Sequence, residues 1–530
     1  MGLGLVLVVT AASARPHAVK DGGTLEIGVS SFDFIDPALA SDPVFDSACG
    51  TCTTAMWGVA DATCATLFRY PVSAPPVVRY NLVPEAATGD PVVSHDGKTY
   101  TFTIRKGLRF STGAPVTAAN YVRAFRRVLD PVMHSPGARY LQDVAGVNAV
   151  GGKLIVHLAK KVPDFPARTT MPYLCPVPTD LPAVPEGVGA PLPGSGPYYV
   201  AEFVRGVGGR VVLKRNPFYA RSRPRHLDEI IFRLGGDSVA ITHKVEAGDL
   251  DVDLTVPLQV LPDIAAKYGV NKGRFFSIRS ADMFYLFMNT ESPLFKNNVK
   301  LRQAVNFAVD RTAYLGVFGG PFGSRTDGYL PTGLPGHQNV HPYPVRHPNI
   351  AKAKALASGH TRSGKAAYYS CDSLLIRCLP HAQHVQQDLK QIGIDVEIRP
   401  FPVVTYATKV ATRGEPWDIV DFRVNVAWVD PSQYVDQLLD GRTIRPVDNT
   451  NLSYFNSAHY NRLIDHARSL SGNARYVAYG KLAVEIERDA APMAGLTERN
   501  TRFFVSSRVG CVRATGAAAH GLDFAGVCLK

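Results

Sequence analysis

The sequence predicts an α/β protein in which strands and helices pack in layers over several domains. Three observations carry that prediction. Strand-like and helix-like patterns alternate in long blocks from residue 22 to residue 492. The chain of 530 residues is too long for one hydrophobic core, so roughly two to four domains are expected. The stretch 22–31, "GGTLEIGVSS", reads as a buried strand that is short of partners without residues 198–257, so the first domain is discontinuous.

After that strand, "FDFIDPALA" turns away, with Asp36-Pro37 as breaker. Residues 47–70 are helical in their second half, ending at "LFRY". In 96–110, Tyr100, Phe102 and Ile104 alternate with Thr101, Thr103 and Arg105, the period of a strand. Residues 117–131 read as a helix with Thr117 as N-cap and Pro131 past its end. "KLIVHLAKKVPDFP" is a strand and turn, and the Pro/Gly-rich 176–197 is a candidate inter-domain crossing. "YYVAEF" and "RVVLKRNPFY" form a hairpin-like pair, "HLDEIIFRL" is a strand, and 237–257 gives a helix, a Gly-Asp turn and a short strand. Residues 283–290 are a buried strand. Residues 298–320 read as one helix with Leu301, Ala304, Val305, Ala308 and Val309 on one face. A helix over 382–391 leads through a glycine turn to the strand "IDVEIRPF", and 456–469 and 476–492 are helices.

Composition narrows the class. Apolar residues make up 46% and charged residues 19%, a globular balance rather than a disordered one. The formal charge of +12 is spread along the chain without a nucleic-acid-binding module, so no nucleic-acid partner is expected. Residues 3–9 form a short apolar core, and Ala12-Ser13-Ala14 fits a small-x-small cleavage pattern, so 1–20 is read as an export segment. No other stretch approaches the ~18 apolar residues of a membrane span. Eight cysteines suit an oxidising compartment. Cys371/Cys378 and Cys511/Cys528 are the easiest local pairs, whereas the connectivity of Cys49, Cys52, Cys64 and Cys175 stays open.

Enzyme motifs are scarce. There is no H-E-x-x-H, G-x-x-x-x-G-K-[ST] or G-x-S-x-G. "CGTC" at 49–52 lacks the strand-then-helix setting of a redox pair. His381 and His384 lie one turn apart with no third ligand near in sequence, and read as a solvated pair beside Cys378. A metal or other cofactor is not implied. The alternating run 417–431, "WDIVDFRVNVAWVDP", is the exception. It puts Asp421, Arg423 and Asn425 in a row on one strand face, where unpaired burial is unfavourable. Such a row belongs at an edge, in a salt bridge, or along a ligand cleft, with Trp428 and Tyr434 adding aromatic surface at the exit.

Several segments in order resemble one family. They are "GGTLEIGVSSFDFIDPALA", the 81–131 block with "DGKTYTFTIRKGLRFSTGAPVTAANYV", "GSGPYYV", "LKRNPFY", "FMNT" with "LRQAVNFAVDR", "LPTGLPG" and "YFNSAHYNRLIDHA". Together they are similar to the family 5 extracellular solute-binding proteins of ABC importers, which carry oligopeptides, dipeptides, nickel complexes and related solutes. The resemblance implies a two-lobed, type II periplasmic-binding-protein-like fold with an additional third domain and ligand in the inter-lobe cleft. Residues 21–60, 190–275 and 491–530 would form lobe I, 61–189 the additional domain, and 276–490 the second lobe. It further implies an exported, non-catalytic monomeric receptor whose partners are a peptide or other small polar solute and membrane permease components. Phe32, Asp33 and Phe34, after the first strand, and Asp421, Arg423, Asn425, Ala427, Trp428 and Tyr434 are the candidate ligand-binding residues. Peptide-binding relatives carry an Asp in a "W-x-A-D-Y-x-D-P"-like run that pairs with the peptide's α-ammonium. Aligned on Asp430-Pro431, that position is Ala427 here and the Tyr position is Trp428. The competing expectation is an exported redox protein or hydrolase using Cys49/Cys52 or His381/His384.

Overall fold

The computed structural model describes residues 21–42, 50–319, 322–373, 377–516 and 521–530. Residues 1–20, read from the sequence as an export segment, Cys49 and the Cys52 side chain lie outside the described residues. An 11-stranded sheet runs through both halves of the molecule. In the first half Thr24–Val29 pairs in parallel with Glu229–Leu234 and with Val252–Asp253, the partners its apolar sequence demanded. Arg210–Arg215 and Tyr198–Val204 extend it as an antiparallel meander. In the second half Lys365–Cys371 lies parallel to both Asp395–Phe401 and Ile419–Val424.

Two long antiparallel strands, Phe275–Met288 and Met493–Val505, join the halves. Val252–Asp253 pairs with the first-half end of Met493–Val505, and Ile419–Val424 pairs with the second-half end of Phe275–Met288. Between these ends the register shifts between Arg279 and Asp282. Such an irregularity bends and twists a strand pair, and here it lies where one half gives way to the other.

A separate four-stranded antiparallel sheet is built from Val92–Val93, Thr99–Thr103, Lys153–Leu158 and Val144–Val150, in that spatial order. Tyr100 and Phe102 point into its core, as their alternation with threonines requires. The helix Ala118–Leu129 covers it, and its start is fixed by the Asn120 side chain, which accepts from the Thr117 N–H at 2.8 Å. This domain is tied to the first half by Arg127, whose fork grips buried Asp36 at 2.9 and 2.5 Å, and the Cys64–Cys175 disulfide closes its two ends on each other. Cys371–Cys378 and Cys511–Cys528 are also bonded. Ser195 and its glycines seal the crossing. A Cβ on Gly196 would lie 2.7 Å from the Ala62 carbonyl oxygen.

Several elements differ from their sequence reading, and the strand read at 283–290 begins already at Phe275. The helix in 47–70 stops at Thr63, and Phe68–Arg69 pairs as a strand with Val83–Pro84. The helix of 298–320 is two helices, Val299–Ala308 and Arg311–Phe318. Asp310 breaks it by capping the second, accepting from Thr312 N at 2.8 Å and Ala313 N at 3.0 Å. The break lets Arg311 turn inward, where it donates to the carbonyls of Gly495, Thr326, Asn306 and Pro344. Finally, the strand of 417–431 ends at Val424, four residues before Trp428. Among the described residues no helix is long and apolar enough to cross a membrane.

Candidate functional site

The Ile419–Val424 strand is central, flanked by Lys365–Cys371 and Phe275–Met288. Its polar side chains therefore need partners inside the protein, and two of them have these. Asp421 is buried and accepts hydrogen bonds from Tyr314 Oη at 2.7 Å and Tyr368 Oη at 2.8 Å. Burial raises its pKa, and the two phenols offset only part of that rise. His381 Nδ1 is 3.7 Å from the same carboxylate, and the ring stacks on Tyr314 with centroids 4.2 Å apart. His381 is thus a core residue and not part of a solvated pair. Burial pushes its pKa down to about 3, so it is neutral. Arg423, next on the same face, reaches Asp282 through Nε at 2.9 Å and Nη2 at 2.8 Å.

Beyond Val424 the chain leaves the sheet. Asn425 Oδ1 accepts from the Val426 N–H at 2.9 Å. Ala427 and Trp428 then enter the core of the added domain and are buried there. Trp428 meets Tyr140 edge-on at 5.4 Å and donates from Nε1 to Asp164 Oδ2 at 3.0 Å. The Arg168 guanidinium lies 4.9 Å over its ring. Ser432 Oγ shares Asp164, and Val429 N donates to Tyr70 Oη at 2.8 Å. Tyr434 is buried, its hydroxyl on the Ala281 carbonyl.

A cavity of about 410 Å³ opens where the added domain meets the second half. That volume suits a small-molecule ligand. Its walls are unusually charged, with seven Lys and Arg side chains against four Asp. Asp164 is held below the usual carboxylate range because Arg168 and Arg475 outweigh the upward push of burial. Asp436 is pushed up to about 6 by burial, although Arg468 pairs with it at 2.8 Å. Lys161 Nζ bridges the domains by donating to the Ser469 carbonyl. Next to this cavity lies a smaller, mostly apolar pocket of about 40 Å³, which shares Arg139, Tyr140, Gln437 and Thr450 with it.

Of the candidates read from sequence, Trp428 lines the large cavity, and Arg423 and Asn425 line the small pocket. Asp421 and Tyr434 are buried with protein partners, and Ala427 is enclosed. Phe32 and Phe34 line a separate small cavity beside Cys64–Cys175, while Asp33 is exposed. The cavity residues from the added domain, Lys160, Lys161, Asp164 and Arg168 among them, carry no motif. Only "AKKVPDF", two lysines before an acid, hinted at them.

Two halves joined by paired strands, with a ligand-sized charged cavity between the added domain and the second half, define the class of two-lobed solute receptors. The chain belongs to the bacterial extracellular solute-binding proteins, family 5, whose middle region matches residues 81–445. It is 31% identical over 241 residues to a protein named "Probable deoxycholate-binding periplasmic protein YgiS" of Escherichia coli K12, an alignment spanning 41% of this chain and 43% of that one. It is 23% identical to the periplasmic oligopeptide-binding protein OppA of the same organism, over 75% of this chain and 76% of the relative. Among solved structures, "Clavulanic acid biosynthesis oligopeptide binding protein 2" superposes with a TM-score of 0.84 at 22% identity, over 96% of each chain.

Proposed function

We propose that the chain is an exported, non-catalytic receptor that captures a small polar solute in the inter-lobe cleft and delivers it to an ABC importer. In this reading residues 21–60, 190–275 and 491–530 act as lobe I, 61–189 as a domain riding on it, and 276–490 as the closing lobe. The observation that carries it is the charged cavity of about 410 Å³ between the added domain and the second lobe. Hinge closure about paired strands is an established way of sequestering ligand between lobes. The relatives named for deoxycholate and oligopeptides bind chemically different solutes. The choice among such classes therefore rests on this chain's own residues. The position aligned with the amine-anchoring acid is Ala427, fully enclosed. The carboxylate that meets Trp428, Asp164, is already engaged by Trp428, Ser432 and Arg168, and Asp430 is paired with Arg475. A solute held by its α-ammonium at that place is therefore disfavoured. Native mass spectrometry of protein purified without unfolding should find a stoichiometric small molecule that refolded protein lacks. Identical masses in both preparations, with no solute gained from a periplasmic extract, would sink the receptor reading.

A further inference from the structure

We propose that Arg423, Arg499 and Arg502 form an anion-binding site on the hinge strands, built to take a carboxylate or other oxyanion of the captured solute. The inference deepens the receptor reading and rests on it. Arg499 and Arg502 lie on Met493–Val505, and Asp282 faces Arg499 from Phe275–Met288 at the register shift. Arg423 arrives from Ile419–Val424, next to the small pocket it lines.

Charge does not balance there. Asp282 already receives Arg423 through two nitrogens and Arg499 Nη1 at 3.2 Å. Arg502 is only 5% exposed, and its Nε and Nη1 have no hydrogen-bond partner. Its guanidinium lies 4.7 Å over the Phe322 ring. The other carboxylates near the cluster are engaged elsewhere. Glu498 accepts from Thr332 N at 2.7 Å and Thr332 Oγ1 at 2.6 Å, with Arg279 at 3.7 Å. Asp253 accepts from Thr242 Oγ1 at 2.6 Å and Thr255 N at 2.9 Å. Burial, with repulsion from Arg499 and Arg423, drives the Arg502 pKa far down, and burial with Arg423 brings Arg499 to about 10.

A buried guanidinium without a counter-ion is unfavourable. A planar oxyanion among three guanidiniums supplies the charge and accepts from the empty donors, the geometry for which arginine is suited. Arg423 and Arg499 keep 22% and 20% of their side chains exposed, so the cluster is reachable on their side. Two of its arginines lie on a hinge strand and the third on the second lobe, so an anion bound there links ligand to hinge.

The test uses refolded, solute-free protein and two simple probes, sodium acetate and inorganic phosphate, at ionic strength held constant with sodium chloride. One of them should raise the melting temperature with saturating dependence, acetate leading if the site prefers carboxylates and phosphate leading if it prefers phosphoryl groups. R502M and R499Q should each weaken that saturation about ten- to a hundredfold, as loss of a charge-assisted hydrogen bond does. Without anion, R502M should melt no lower than the parent, because it removes an unpaired buried charge; a purely structural arginine would lower it. Absence of saturation with either probe, or saturation unchanged in both variants, overturns the site. If R502M fails to fold, R499Q alone decides. A protein that saturates with anion yet carries no native solute loses the receptor reading and keeps the site; the reverse loses only the site.

Discussion

Asp388 sits at the contact between the helix Cys378–Lys390 and the break before Arg311–Phe318, where its Oδ2 accepts from the Asp310 N–H at 2.8 Å. Burial, with the nearby Asp310 charge, pushes its pKa from 3.8 up to about 7. Between those values the folded state binds more protons than the unfolded state, so this group makes stability fall as pH rises. Asn at 388 keeps an acceptor for Asp310 and cannot titrate. The stability of Asp388→Asn relative to the parent should therefore climb from about pH 4 to pH 7, by at most ~1.4 kcal/mol per pH unit. Urea titrations at four pH values check it, and a flat difference would place the shift elsewhere. Ala427 gives a second residue-scale expectation. An acid there would enter the enclosed core beside Trp428, where an unpartnered polar group costs about 3 kcal/mol. Ala427→Asp should thus destabilise the fold by about that amount in urea and restore no affinity for peptides with a free N-terminus.

At the scale of elements, loop length ranks the disulfides. Cys64–Cys175 closes 111 residues of sequence and Cys371–Cys378 closes 7. The chain-entropy account assigns about 4.7 kcal/mol to a loop near the first size and about 2 kcal/mol to the second. Paired serine substitutions should lower the denaturation midpoint more for Cys64/Cys175, and a reversed order would show that native-state contacts, not loop closure, dominate. This also marks what sequence can reveal. The short pairs were legible because their spacing limits them to local loops. Cys64 and Cys175 meet only because the added domain folds back on the helix Gly50–Thr63. The split of 298–320 was hidden likewise, since its apolar stripe runs through Val309 and only the tertiary demand of Arg311 for four carbonyls exposes Asp310 as a cap. In 417–431 the alternation was legible and the strand exists. Its central position was not, because Asp421 is matched by tyrosines more than fifty residues away in sequence.

For the whole molecule, the added domain meets the second half through buried Ala427 and Trp428 and through polar contacts around the charged cavity. Lys161 reaches Ser469, Tyr70 accepts from Val429, and Asp164 accepts from Trp428 and Ser432. Family membership and the two-lobed fold were readable from ordered motifs across the chain, whereas the cavity was not, because its walls come from segments some three hundred residues apart. A receptor that traps solute must part such contacts to load and remake them when filled, and binding only to the closed form shifts the population toward it. Small-angle scattering on natively purified, solute-loaded protein and on refolded, solute-free protein measures that motion directly. The account predicts a smaller radius of gyration for the loaded protein and a larger one for the empty protein. Equal radii, with solute verified in one sample and absent from the other, would contradict closure about the paired hinge strands.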